Sequence, residues 1–152
     1  FFMGYKATDR EFVNFALSLI IGTSICFIIC MIYPNGLTLR PDTLSDDIFG
    51  KLIGMIYASD TPTNVFPSIH VYTSLAIDIA LRKCNYLKDN KAIKLSSLIL
   101  CTLICLSTVL IKQHSTTDVL GAIMGVMYFA LYIRDLGKAF IINDIENIEV
   151  EN

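Results

Sequence analysis

The 152-residue chain holds two histidines, His70 and His114, each set among neighbours suited to handling an anion. His70 closes the run Phe66-Pro67-Ser68-Ile69-His70, and His114 opens the run His114-Ser115-Thr116-Thr117-Asp118. A carboxylate four residues after a histidine is within reach of its ring, where it fixes the imidazole tautomer and stabilises positive charge on it. Two histidines beside a bound phosphate divide the labour of covalent catalysis: one attacks phosphorus and the other protonates the leaving oxygen. Arg40, followed by Pro41, offers phosphate oxygens two parallel N–H bonds, and Lys112 offers a point charge. Ser68 adds a hydroxyl donor, and Pro67 suits the first turn of a helix, where its missing N–H costs nothing. Helices starting near residues 67 and 116 would turn free N–H groups and positive dipole ends toward the same anion.

Composition says what must position these residues. Hydrophobic residues make up 54% of the chain and charged residues 17%, whereas a soluble domain has about a quarter of its residues charged. Disorder, a basic nucleic-acid binder and an acidic tail protein are excluded, and a net charge of -2 points to no polyanionic partner. Residues 12–33 carry no charge and as a helix would span about 33 Å, the thickness of a hydrocarbon core. Residues 93–111 form a second apolar run broken only by Lys94, and residues 119–133 a third, closed by Arg134. A weaker fourth run, 67–81, carries Tyr72, Thr73, Ser74 and Asp78. Alternating sides across these four spans places nine of the twelve basic residues on one face and leaves Arg40, Lys51 and Lys112 on the other. The positive-inside rule puts the nine in the cytoplasm and requires the weak run to cross. The expected fold is therefore all-α, a multi-pass transmembrane bundle with about four spans. Both histidines, Arg40 and Asp118 then share the extracytoplasmic face.

All four prolines lie between Pro34 and Pro67. Residues 34–66 read as an outer-face loop with an interfacial helix at 48–57. Residues 143–152 read as a flexible acidic tail, and a first residue other than Met suggests N-terminal helices upstream. Four of the five cysteines form two i,i+4 pairs within spans, Cys26 with Cys30 and Cys101 with Cys105; these and Cys84 read as small packing residues. Gly121 and Gly125 form a small-xxx-small pattern for close helix packing, within the chain or in a homo-oligomer. Asp78 reads as the i,i+4 ion partner of Arg82.

At Arg40-Pro41, Pro67-Ser68-Ile69-His70 and His114 to Asp118, in that order, the chain resembles the type 2 phosphatidic acid phosphatase superfamily. The branch related to inositol-phosphorylceramide synthases is the most similar. The resemblance covers roughly residues 12 to 135. It implies a six-helix membrane core and a single membrane-embedded phosphatase-like domain over 1–152. It implies His114 as the nucleophile that becomes phosphohistidine, Asp118 as its orienting partner and His70 as the general acid. Arg40 and Ser68 would hold the phosphate, with no metal and no cofactor. The family pattern also has a Lys where this chain has Tyr33 and an Arg where it has Thr108. Lys112 stands in for one of these charges. The expected activity is hydrolysis of a lipid phosphate or pyrophosphate in the cell membrane, with lipid substrate and bilayer as partners and no nucleic acid. Two alternatives stay open: transfer of the phosphoryl-alcohol group to a lipid hydroxyl, and a non-enzymatic metal-binding or transport protein using His70, His114 and Asp118.

Overall fold

The computed structural model describes residues 7–87, 89–128, 131–132 and 135. The expected tail at 143–152 and residues 129–130 and 133 of the third apolar run lie outside these residues. Helix α1, Asp9–Ile32, starts where Thr8 and Glu11 form a reciprocal capping box. The Glu11 carboxylate also accepts the Asn85 N–H at 2.7 Å, tying the start of α1 to the chain just after a later helix. Helix α2 covers Ile48–Ser59 and starts at Asp47, whose carboxylate accepts the Gly50 N–H at 2.7 Å. Helix α3 is Ile69–Lys83, and α4 is Lys91–Leu110 with Asn90 as its cap. Helix α5, Thr116–Leu120, continues into a π-helical segment, Gly121–Met127. Among the described residues there are helices and no strands; one isolated bridge pairs Gly36 with Thr63.

Helices α1 and α4 are long and apolar enough to cross a membrane. At 1.5 Å per residue they extend about 36 Å and about 30 Å. Most of their surface is left uncovered: Ile20, Phe27 and Met31 on α1, and Leu100, Leu103 and Leu110 on α4, are all exposed. Apolar surface of that extent calls for lipid.

Helix α3 departs from expectation. It has 15 residues and begins at Ile69, so it reaches only about 22 Å, short of a hydrocarbon core. Two helices among the described residues therefore have the length and composition of a span; of the other two expected runs, 67–81 yields the short α3 and 119–133 lies partly outside the described residues. The physical reason is position. α3 packs against α1, α4 and the π-helical segment at once, so protein surrounds its polar groups. Asp78 is buried, with Oδ2 accepting from Arg82 Nε at 2.7 Å and Oδ1 from the Ser97 hydroxyl at 2.7 Å. The expected i,i+4 ion pair is thus present, with a third partner from α4. The guanidinium's NH2 also donates to the Lys94 carbonyl at 3.0 Å, across the same helix pair.

The core consists of Cys26, Val71, Tyr72, Ala76, Ala122 and Met127. The five cysteines are free thiols, four of them buried. Gly121 lets the Phe66 ring lie against the helix where a Cβ would stand, so its smallness serves packing within the chain. Gly22 does the same for Tyr72, a fully buried ring whose hydroxyl donates to the Ser18 carbonyl across the α1–α3 contact. A methyl at Gly22 would occupy the ring's own position. Gly22→Ala is therefore expected to destabilise the protein by about 1–3 kcal/mol, the usual cost of overpacking. Thermal unfolding in detergent should show a lowered Tm, and an unchanged Tm would contradict this account of the α1–α3 contact.

Candidate active site

The chain leaves α1 and returns to α3 through residues 34–66, and the base of this excursion is closed by one side chain. Asn35 Nδ2 donates to the Phe66 carbonyl at 3.2 Å, and Asn35 Oδ1 accepts the Phe66 N–H at 2.9 Å. Leu37 N–H donates to the Pro62 carbonyl at 2.9 Å beside it. Arg40, α2 and Asp60 are all carried by this closed loop.

Ser68 caps α3. Its hydroxyl oxygen accepts the Val71 N–H at 3.4 Å, and the residue is fully buried. Its own N–H donates to the Asp118 carbonyl at 3.3 Å, joining the first turn of α3 to that of α5. His114 reaches the same place by a tight reversal after α4. The Thr108 carbonyl accepts both the Gln113 N–H at 2.9 Å and the His114 N–H at 3.0 Å, and Lys112 sits at φ 54. Positive φ is uncommon for a residue with a side chain, so the reversal is held by its surroundings.

The two histidines meet. His70 Nδ1 lies 3.2 Å from His114 Nε2, with ring centroids 5.5 Å apart. His114 is 6% exposed and Asp118 4%, whereas His70 is on the exposed side. On the far side of the His114 ring, Nδ1 lies 3.7 Å from Asp118 Oδ2, too far for a hydrogen bond, and it has no other hydrogen-bond partner. The same Asp118 oxygen accepts the Ser115 N–H at 2.7 Å in a capping box that starts α5. The structure thus gathers His70, His114 and Asp118 as the sequence suggests. It also gives the carboxylate a second task, and that task holds it back from the ring.

Burial pushes the His114 pKa below the ordinary histidine value, and positive charge on His70 adds to the effect. Asp118, the Val65 carbonyl and Asp60 oppose it. The ring's resting form is therefore the neutral imidazole near pH 7.

The phosphate-binding candidates fare unequally. Arg40 lies over the Tyr57 ring, 4.3 Å from its centroid, and donates from NH1 to the Tyr57 carbonyl at 3.3 Å. Its side chain is 12% exposed, yet Nε and NH2 have no hydrogen-bond partner. Two buried donors left open are what an incoming anion would fill. Lys112 is exposed at the reversal, where its N–H donates to the Val109 carbonyl at 3.0 Å, and its ammonium makes no hydrogen bond or ion pair among the described residues. Tyr33 is exposed, and the buried Thr108 spends its hydroxyl on the Cys105 carbonyl at 2.9 Å. Among the described residues no group of three His, Cys, Asp or Glu side chains is arranged to hold a metal ion.

Residues 11–141 of the chain match the PAP2 superfamily. The chain belongs to this family. No curated protein and no solved structure matches it. The matched PAP2 region contains Arg40, Ser68, both histidines and Asp118. PAP2 superfamily membership supports phosphatase- or phosphotransferase-type activity in general, and with the two long apolar helices it marks a membrane protein.

Four residues of this site escaped the sequence reading: Asn35, Tyr57, Asp60 and Gln113. Asn35 directly follows Pro34 and Asp60 lies two residues before Pro62, in settings where Asn and Asp ordinarily read as turn residues. Gln113 carried the only usable signal, a polar side chain directly before His114.

Proposed function

We propose that the chain is an integral membrane phosphatase that hydrolyses a lipid phosphate or pyrophosphate through a phosphohistidine intermediate. The observation that carries this reading is the 3.2 Å approach of His70 to His114, with the Asp118 carboxylate behind the buried ring. In the proposed first step the His114 Nε2 lone pair forms a bond to phosphorus while the bond to the leaving oxygen breaks. His70, protonated, gives its proton to that oxygen. In the second step a water oxygen attacks phosphorus, the N–P bond breaks, and His70 takes the water's proton. Nε2 attacks only when the ring's remaining proton is on Nδ1, the side facing Asp118. In-line attack puts nucleophile and leaving group on opposite sides of phosphorus, so the two rings must part to admit the substrate. His114 is fixed by burial and His70 is the exposed partner, so His70 is the ring that moves. Arg40 fills its two open donors with phosphate oxygens. Ser68 and the first turn of α3 supply further donors, and Lys112 adds charge from the rim. In this reading the site faces the extracytoplasmic side, a placement supported by the distribution of basic residues.

The pH dependence follows from the lowered His114 pKa. Protonating His114 removes the attacking lone pair, so the rate falls as pH drops through that pKa. Because burial lowers it, the acid limb of kcat/KM should lie below the ordinary histidine value of about 6.5. A rate profile in detergent from pH 4 to 9 checks this, and an acid limb above that value would count against His114 as nucleophile. The activity itself is tested with phosphatidic acid and a lipid pyrophosphate, each labelled at phosphorus. Release of labelled inorganic phosphate in EDTA, blocked by vanadate, is the expected result.

One observation favours the transferase reading. With Tyr33 and Thr108 in place of the pattern's two basic residues, the site suits a phosphodiester, which carries one charge less than a phosphate monoester. Supplying a phospholipid phosphodiester labelled at phosphorus together with a lipid alcohol, and following the label into a new lipid, separates the two readings.

A further inference from the structure

The last turn of α2 touches both halves of the site, and nothing in the mechanism above uses it. α2 packs little against the other helices, so its hold on the site is polar. The Tyr57 hydroxyl donates to the Ile111 carbonyl at 2.7 Å. Asp60, which caps the C-terminus of α2, accepts on Oδ2 from Gln113 Nε2 at 2.9 Å. The same oxygen lies 3.9 Å from Arg40 NH2. Two tethers therefore run from α2 to the reversal that carries His114, and the Tyr57 ring and carbonyl and the Asp60 carboxylate hold the Arg40 guanidinium. Gln113 is buried, so its amide has no bulk water to turn to.

We propose that Asp60 is a positioning residue that locks Arg40 to the His114 loop through Gln113, so that guanidinium and imidazole meet one phosphate group. The inference rests on the roles given above to Arg40 and His114. A carboxylate at this point has a cost, because it cancels part of the charge meant for the anion. That cost makes sense where the carboxylate sets geometry. A single oxygen shared by Gln113 and Arg40 fixes the distance between the two elements that must grip the same group. The arrangement also leaves Nε and NH2 of Arg40 without hydrogen-bond partners while the rest of the guanidinium is held. The charged and titratable groups around His114 are His70 from α3, Asp118 from α5, Asp60 from the end of α2 and the neighbouring Lys112. Asp60 is the one among them that also touches Arg40.

Three variants, Asp60→Ala, Asp60→Asn and Arg40→Ala, and the Asp60→Ala/Arg40→Ala double variant test the proposal in the full chain in detergent. The readouts are equilibrium binding of orthovanadate, kcat and KM for phosphatidic acid, and the pH profile. Asp60→Ala is expected to weaken vanadate binding and raise KM by on the order of 10- to 100-fold, the usual cost of losing a residue that orients a binding group. The double variant should be hardly weaker than Arg40→Ala alone, because the two residues act as a unit. Removing this negative charge should also move the acid limb to lower pH. Asp60→Asn keeps an acceptor for Gln113 and should recover much of the binding while retaining the pH shift, which a merely structural role would not produce. Its near-isosteric side chain keeps the test decisive if the alanine variant fails to fold. Unchanged vanadate affinity and KM in a folded variant, or losses that add fully to those of Arg40→Ala, would overturn the proposal. A wild-type protein that binds vanadate and forms phosphohistidine, with silent Asp60 variants, sinks this inference alone. A wild-type protein that does neither sinks the hydrolase reading and this inference with it.

Discussion

His114→Ala is expected to abolish turnover and, with it, every trace of an acid-labile phosphoenzyme. The loss should be on the order of 10⁴-fold or more, the scale on which removal of a covalent nucleophile is felt. The expectation rests on three features of the ring together. It is buried, it is neutral at rest, and its Nε2 points to the one other histidine of the chain. The measurement is a rapid quench of protein mixed with phosphorus-labelled phosphatidic acid, with label retained in base and lost in acid. Because His114 fills a buried position, a folding defect must be separated from a chemical one. His114→Gly leaves an imidazole-sized space, and added imidazole should restore part of the turnover without restoring the phosphoenzyme. Full activity in a correctly folded His114→Ala protein would falsify the mechanism.

His70→Ala is expected to cost about 10²- to 10⁴-fold on a lipid phosphate, the range for a general acid. The loss should nearly vanish on a nitrophenyl ester, whose leaving oxygen needs no proton. The phosphoenzyme should still form from that activated substrate, which distinguishes His70 from His114 in one experiment. A second sign comes from the charges. Positive charge on His70 lowers the His114 pKa, so its removal should move the acid limb to higher pH, the opposite of the shift in the Asp60 variants. Equal losses on both substrates would assign His70 a binding role in place of proton transfer.

Much of this site was legible in the chain because polar residues are scarce in it. His70, Ser68, His114 and Asp118 each sit at the start of a helix, and their local motifs put them there without any knowledge of packing. The capping chemistry that makes Ser68 and Ser115 helix starts is a short-range signal. The missed residues act over long range. Asp60 meets Gln113 across 53 positions, Tyr57 meets Ile111 across 54, and Asn35 meets Phe66 across 31. No spacing rule reaches that far. The shortness of α3 was hidden for a related reason. Hydropathy reads Asp78 and Ser74 as a weak span, whereas the fold reads them as the centre of a bundle, where Arg82, Ser97 and Cys101 answer them. The i,i+4 pairing of Asp78 was visible; the serine from α4 was not.

The capping box at the start of α5 carries an implication for how this protein tolerates change. One oxygen of Asp118 closes the first turn of α5 and also faces the ring of His114, the proposed nucleophile. Under the proposed mechanism, durability of the fold and speed of the reaction are therefore selected through a single atom. A substitution there is read twice, once as a frayed helix and once as a misaligned imidazole, and no neighbouring change repairs both. Ser115, which returns the capping bond, is drawn into the same constraint although it never meets the substrate. This corner of the molecule should drift slowly in evolution, and libraries aimed at new specificity should leave Ser115 and Asp118 untouched and diversify the exposed rim around Lys112 instead.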